Sequence, residues 1–221
     1  MTTRRQFIIS SLGAAGGVAL LGNECSPRTN VKTKVDTMTN NALHSLKGTI
    51  KIESVDSQFE REPLLSPFGF KGGYLSELWQ TISYLESENG HHSIGLGTQS
   101  VLWSDENVFS SSSESGGNAS MYALTERALQ LLRGLSFSSP MDIIDPLFEE
   151  IHKYGQVITN SPNLRKTFAL NSLVSVDNAL WLLYTKENGI TTFDELIPAE
   201  YASTFSEKHE SWQLSRSFHT M

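Results

Sequence analysis

The stretch that most limits the fold of this chain is Tyr74 to Thr98, where two β-type runs are folded back on Asn89-Gly90. A two-residue type I′ turn needs positive φ at both central positions, and Asn-Gly meets that need at low cost, so the flanking runs are expected to pair antiparallel. Upstream, Thr49 to Glu60 gives another strand pattern, with Ile50 and Ile52 alternating against Lys51 and Glu53. Beyond the third run, Ile94 to Thr98, helical signals take over. Strands first and helices after predict an α+β domain, a three-stranded antiparallel meander with one face covered by a helical bundle.

The helical half is well punctuated. Met121 to Arg133 is followed by Gly134 in the C′ position. A second helix starts at Ser139 or Asp145, each with proline next, and runs to Tyr154, with Gly155 expected to close it. The longest helix is expected from Ser161-Pro162 to Asn188-Gly189, with Phe168, Leu173, Val176, Leu180 and Leu183 on its apolar face. Thr192-Phe193-Asp194-Glu195 has the form of a capping box opening a last short helix. Two segments are expected to be irregular. Glu62 to Gly73 holds prolines and glycines yet carries Leu64, Leu65, Phe68 and Phe70, which need cover from a core or a ligand. Ser110 to Gly117 is rich in serine and reads as a flexible loop.

The ends carry a different signal. Arg4-Arg5 precedes Phe7-Ile8-Ile9 and a glycine-diluted apolar run to Leu21, the pattern of a twin-arginine export signal. The run is shorter than the ~20 residues a membrane-spanning helix takes. Residues 1–25 are therefore expected to be a signal and 26–47 a polar linker. Residues 48–198 form the domain and 199–221 an irregular tail. The expected location is the periplasm or beyond, with membrane contact only through the signal. Cys25, the only cysteine, lacks the small residues that a lipoprotein signal places before its acylated cysteine, so anchoring there is not expected. A single cysteine also excludes an internal disulfide. The formal net charge of −7 offers no basic face for nucleic acid.

Together, the order of these motifs resembles a known family. The strand, the Pro63-Leu64-Leu65-Ser66-Pro67-Phe68 segment, the long second strand, Asn89-Gly90 and Gly95-Leu96-Gly97 are similar to the amino-terminal capping domain of the enolase superfamily, in the mandelate racemase and muconate lactonising group. So are Asp177-Asn178-Ala179-Leu180-Trp181 and Phe193-Asp194-Glu195-Leu196-Ile197, although Leu183 stands where the family often has a second aspartate.

The resemblance implies an enzyme that abstracts a proton α to a carboxylate with Mg²⁺, as a racemase, epimerase, dehydratase or cycloisomerase acting on a small carboxylate. In that family the base and the metal ligands sit on a TIM barrel, and the capping domain supplies neither. It supplies two loops that close the barrel mouth, here Leu64 to Gly73 and Thr98 to Asp105. On these the resemblance points to Phe68, Phe70, Lys71, Gln99 and Trp103, with Lys71 pairing the substrate carboxylate and the aromatics walling the pocket.

No barrel pattern follows Pro198, and the only Lys-x-Lys, Lys32-Thr33-Lys34, lies in the linker. The chain is therefore expected to lack catalytic residues and metal ligands, and to be an inactive part of a longer or split protein. Its partner would be a separate barrel half or further copies of itself. The alternative is an exported, non-catalytic module that binds through the surface a barrel would cover. Glu149-x-x-His152 occurs once only and makes no di-iron site, and His91-His92 read as ordinary turn residues.

Overall fold

The computed structural model describes Leu43 and residues 46–70 and 72–197. Arg4, Arg5, Cys25, most of the 26–47 segment, Lys71 and the 199–221 tail lie outside the described residues. The chain is α+β. Strands β1 (Ile50–Phe70), β2 (Gly73–Ser87) and β3 (His92–Gln99) come first. They are followed by α1 (Val101–Ser104), α2 (Glu106–Leu132), a two-residue β4 (Ser136–Phe137), α3 (Pro140–Ile158), α4 (Lys166–Asn188) and a 3₁₀ turn at Phe193–Glu195. The sheet order is β3-β2-β1-β4, and every pairing is antiparallel. The expected meander is thus present, widened by a short fourth strand held against Ile50 and Lys51.

Register decides which side chains face the helices. Val55, Leu85 and Ser93 share one row, Ser57, Ser83 and Gly95 the next, and Phe59, Thr81 and Gly97 the third. Gly95 and Gly97 let α4 lie directly on the sheet. A Cβ at Gly95 would fall 2.0 Å from the Ser175 carbonyl oxygen, and one at Gly97 would fall 2.9 Å from the Ser175 nitrogen. Small hydroxyls complete this seam, with Ser83 Oγ and Ser175 Oγ at 2.8 Å and Ser93 Oγ donating to Ala179 O at 2.8 Å. Around it Ile52 and Leu85 from the sheet join Met121, Leu124, Ile143, Leu147, Phe168, Val176 and Leu180 from the helices in a buried core.

Helix α4 also covers the outer margin of β3. Asn171 Nδ2 donates to Thr98 O at 2.9 Å, Asn178 Nδ2 to Leu96 O at 2.7 Å, and Lys186 Nζ to His92 O at 2.6 Å. Edge carbonyls that would otherwise invite another strand are thereby occupied. At the hairpin end Glu187 accepts from Ser87 Oγ and from Asn89 Nδ2 (2.9 Å), and faces His91 Nδ1 at 3.2 Å.

Several boundaries differ from the sequence reading. The Asn89-Gly90 turn is not type I′, because only Gly90 has positive φ (82°). Gly90 N bonds Ser87 O at 2.9 Å and Ser87 N bonds His91 O at 2.8 Å, the three-residue form in which a type I turn ends on a left-handed glycine. The 62–73 segment is largely strand. Pro63 and Phe68 face Glu77 and Leu75, so residues 64–67 bulge out and β1 resumes to Phe70.

The serine-rich stretch is helical. Asp105 Oδ1 accepts from Asn107 N (2.9 Å) and Val108 N (3.3 Å) and starts α2 early, and Ser110 and Ser120 turn their hydroxyls onto the carbonyls four residues back. The break falls at Ser113 alone, with φ of 68°.

Helix α3 takes Ser139 as its cap and runs past Gly155, whose missing side chain makes room for Leu164. Helix α4 starts at Lys166 rather than at Ser161, and Thr192 makes no side-chain cap, so only a 3₁₀ turn follows. Gly189 ends α4 in the left-handed region as expected (φ 63°).

Replacing Gly95 with alanine should therefore push α4 off the sheet and lower stability by about 1–3 kcal/mol, the usual cost of overpacking. Urea unfolding followed by circular dichroism measures it, and an unchanged midpoint would contradict the close approach.

Candidate functional site

The β1–β2 hairpin extends past the helix layer as an arm whose outer residues, from Gln58 onward, are mostly exposed. A paired hairpin alone is marginal in water, so something must hold the arm. On its inner face Phe59 stacks on Trp79 with centroids 4.4 Å apart and an interplanar angle of 6°, and Tyr122 leans on Phe59 at 4.7 Å. The Arg61 guanidinium lies 5.7 Å from the Trp79 ring centre and donates through Nε and Nη2 to both oxygens of Glu77, at 2.7–3.1 Å. Glu77 further accepts from Trp79 Nε1 (2.9 Å) and Ser115 Oγ (3.2 Å). Next to it, Glu114 receives Ser76 N (2.9 Å), Glu77 N (3.2 Å) and Ser76 Oγ. The serine-rich start of α2 is therefore a clamp on the arm. The sequence signal was Glu114-Ser115, hidden by the flexible-loop reading of that stretch.

At the end of the arm three rings line up. Phe68 and Phe70 have centroids 6.4 Å apart at 19°, and Phe70 and Trp103 have centroids 5.0 Å apart at 20°. Phe68 and Trp103 are 56% and 61% exposed, large values for rings of this size. Gly73 permits the meeting, since a Cβ there would press on the ring of Phe109 (2.9 Å) and a methyl of Leu102 (3.1 Å). The hairpin end and the segment after β3 are thus brought together, with α1 presenting Trp103 in place of the irregular loop expected there.

Gln99 does not join this surface. Its side chain is fully buried, and Nε2 donates to Thr125 Oγ1 at 2.7 Å, which in turn donates to Ser172 O at 2.6 Å. Lys71 lies outside the described residues.

Among the described residues such a surface offers flat apolar faces for a ring or a C–H-rich face, and no acid, base or nucleophile. Among the described residues no group of three or more His, Cys, Asp or Glu is arranged to hold a metal ion. The described residues therefore offer no ligand set that fits Mg²⁺.

A second feature lies along the outer margin of β3, where α4 meets it. Ile94 and Leu96 of β3, Trp181 and Leu182 of α4, and Phe193 and Leu196 line an apolar groove of about 660 Å³. Within α4, burial pushes the Asp177 carboxyl above the usual aspartate range, partly offset by a hydrogen bond from Trp181.

No family model and no curated protein matches the chain. Solved structures do. L-talarate dehydratase from Polaromonas sp. JS666, complexed with Mg and L-glucarate, is 18% identical over 64% of this chain and 33% of its own, with a TM-score of 0.42. L-talarate/galactarate dehydratase from Salmonella typhimurium LT2 is 17% identical over 80% and 37%, with a TM-score of 0.39. A mandelate racemase/muconate lactonizing enzyme from Polaromonas sp. JS666 is 19% identical over 63% and 31%, with a TM-score of 0.40. The chain spans about a third of the length of these proteins.

The clamp has a pH signature. Burial pushes the Glu77 carboxyl up, but hydrogen bonds from Arg61, Trp79 and Ser115 and the Arg61 charge outweigh it and hold the group below its ordinary value of 4.5. A depressed carboxylate stabilises the fold fully above that ordinary value and loses its contribution as pH falls through the folded one. Glu77→Gln should thus cost about 1 kcal/mol at pH 7, with the gap to the parent protein shrinking below about pH 4.5. Urea unfolding at pH 7 and pH 3 tests this, and a gap independent of pH would contradict it.

Proposed function

We propose that this chain is the capping part of an enolase-superfamily enzyme of the mandelate racemase and muconate lactonising type. Its β1–β2 arm and the segment after β3 form one wall of a site for a small carboxylate. The supporting observation is the stacked row Phe68–Phe70–Trp103, which joins the two segments that the motif resemblance marks as closing loops. In this reading the rings exclude water and set the shape of the acid that is taken, while Mg²⁺ and the proton-abstracting base belong to a barrel.

The test uses protein expressed from its complete gene. Sugar acids, α-hydroxy acids and dipeptides are incubated with it and Mg²⁺ in D₂O, and loss of the α-proton signal is followed by NMR. The reading expects exchange with at least one class, reduced roughly tenfold or more by Phe70→Ala or Trp103→Ala. An absence of exchange across the panel would sink it.

The apolar groove beside β3 favours a second reading, a non-catalytic module that binds through this exposed surface. Absence of exchange combined with stable, monomeric behaviour would move the balance there.

Export through the twin-arginine pathway belongs to both readings and rests on Arg4-Arg5 and the apolar run that follows. Changing both arginines to lysine should leave the protein in the cytoplasm, as cell fractionation would reveal. Unchanged export would remove the assignment.

A further inference from the structure

The two margins of the sheet are treated differently. That of β3 is occupied by Asn171, Asn178 and Lys186. On β1, the last backbone bonds on the side away from β2 are Ile52 N to Leu135 O at 2.9 Å and Gly134 N to Ile52 O at 2.8 Å. Past that point no strand among the described residues pairs with this margin, although β1 stays paired to β2 from Ser54 to Pro63. Among the described residues, the one further bond to its backbone from a side chain is Ser57 N donating to Asp56 Oδ1 at 2.8 Å, a contact between neighbours. An extended, paired and exposed strand with one margin unpaired among the described residues is the receiving half of strand addition.

The side chains along it specify what could be added. Asp56, Glu60 and Glu62 lie on one face and are exposed, and Glu53 is exposed at the start. Among the described residues none of these four acids is paired with a cation, because Arg61 is committed to Glu77. On the other face Ser57 and Phe59 sit beside Tyr122 and Glu126 of α2, which line a depression of about 340 Å³ together with Ala119, Arg127, Gln130 and Tyr154, the Arg127 guanidinium lying over the Tyr154 ring. A strand laid along this margin therefore meets carboxylates on one side and, on the other, a floor in which the half-buried rings of Tyr122 and Tyr154 alternate with Glu126, Arg127 and Gln130. A second copy of β1 would set these acids against each other, and like charges opposite one another disfavour pairing.

We propose that residues 53–62 of β1 accept an extended peptide segment as an added strand, and that the segment carries Lys or Arg at alternate positions with apolar or β-branched residues between them. Main-chain hydrogen bonds supply the pairing, and the acids of β1 select the basic face.

The test takes the full chain and a fluorescein-labelled eight-residue peptide alternating lysine and valine, with binding followed by anisotropy. Binding should be saturable, and the peptide N-methylated at alternate amides should bind at least about tenfold more weakly, having lost its ladder donors. Glu60→Gln with Glu62→Gln, both exposed and so without cost to the fold, should weaken binding about fivefold. Backbone amide exchange across residues 53–62 should slow on saturation. Equal binding of the N-methylated peptide would overturn the proposal, showing attraction by the acids without strand pairing. No binding would overturn it as well. A peptide-free dimer with slowed exchange over 53–62 would assign the margin to a second copy instead, contrary to the proposal.

Discussion

Everything helical in this protein is placed by one close contact, the backbone of α4 lying on Gly95 and Gly97 of β3. With a side chain at either position the helix would have to stand off by the width of a methyl group or more, and the hydroxyl pair of Ser83 and Ser175 would part. The same approach is what allows Asn171, Asn178 and Lys186 to reach the strand's outer carbonyls. From α4 the constraint passes to its neighbours. Arg165 N, just before α4, donates to Asp105 Oδ2 at 2.9 Å, while Asp105 Oδ1 starts α2, so one buried carboxylate fixes the beginnings of two helices. The positions of Trp103 and of the clamp residues Glu114 and Ser115 follow from where α1 and α2 begin.

The arm depends on the helices in turn. Its inner face carries Arg61, Trp79 and Glu77 instead of aliphatic residues, so its order comes from directional bonds and stacked rings. Such contacts define a geometry well but bury little apolar area, which leaves the aromatic row at the far end exposed and available.

The architecture was legible because its signals are local. The alternation around Ile50 and Ile52, the apolar face of Phe168 to Leu183, and Gly189 after α4 each encode their element within a few residues. What could not be read depended on partners distant in sequence. Serine-rich 110–113 becomes helical because Asp105 caps it and because Gly117 fits against Val101. The 62–73 segment stays in the strand because β2 pairs with it on both sides of the bulge. At the site, Phe68, Phe70 and Trp103 were marked through the motif resemblance, and the structure brings them together. Gln99 was marked by the same route but points inward to Thr125, because odd-numbered residues of β3 face the helices. The clamp went unmarked, since nothing in Glu114-Ser115 announces that β2 lies beside it.

The unlike margins of the sheet also limit how large an assembly it can seed. Cross-β growth requires every newcomer to present a fresh template, and a sheet open at both ends can propagate without limit. With three outer carbonyls of β3 held by α4, the sheet of the described residues leaves its unpaired margin on β1. A copy of this chain joined at β1 would bring its own covered β3 margin as the far end, so growth by copies of this chain closes at a pair, a geometric consequence of three side chains on one helix.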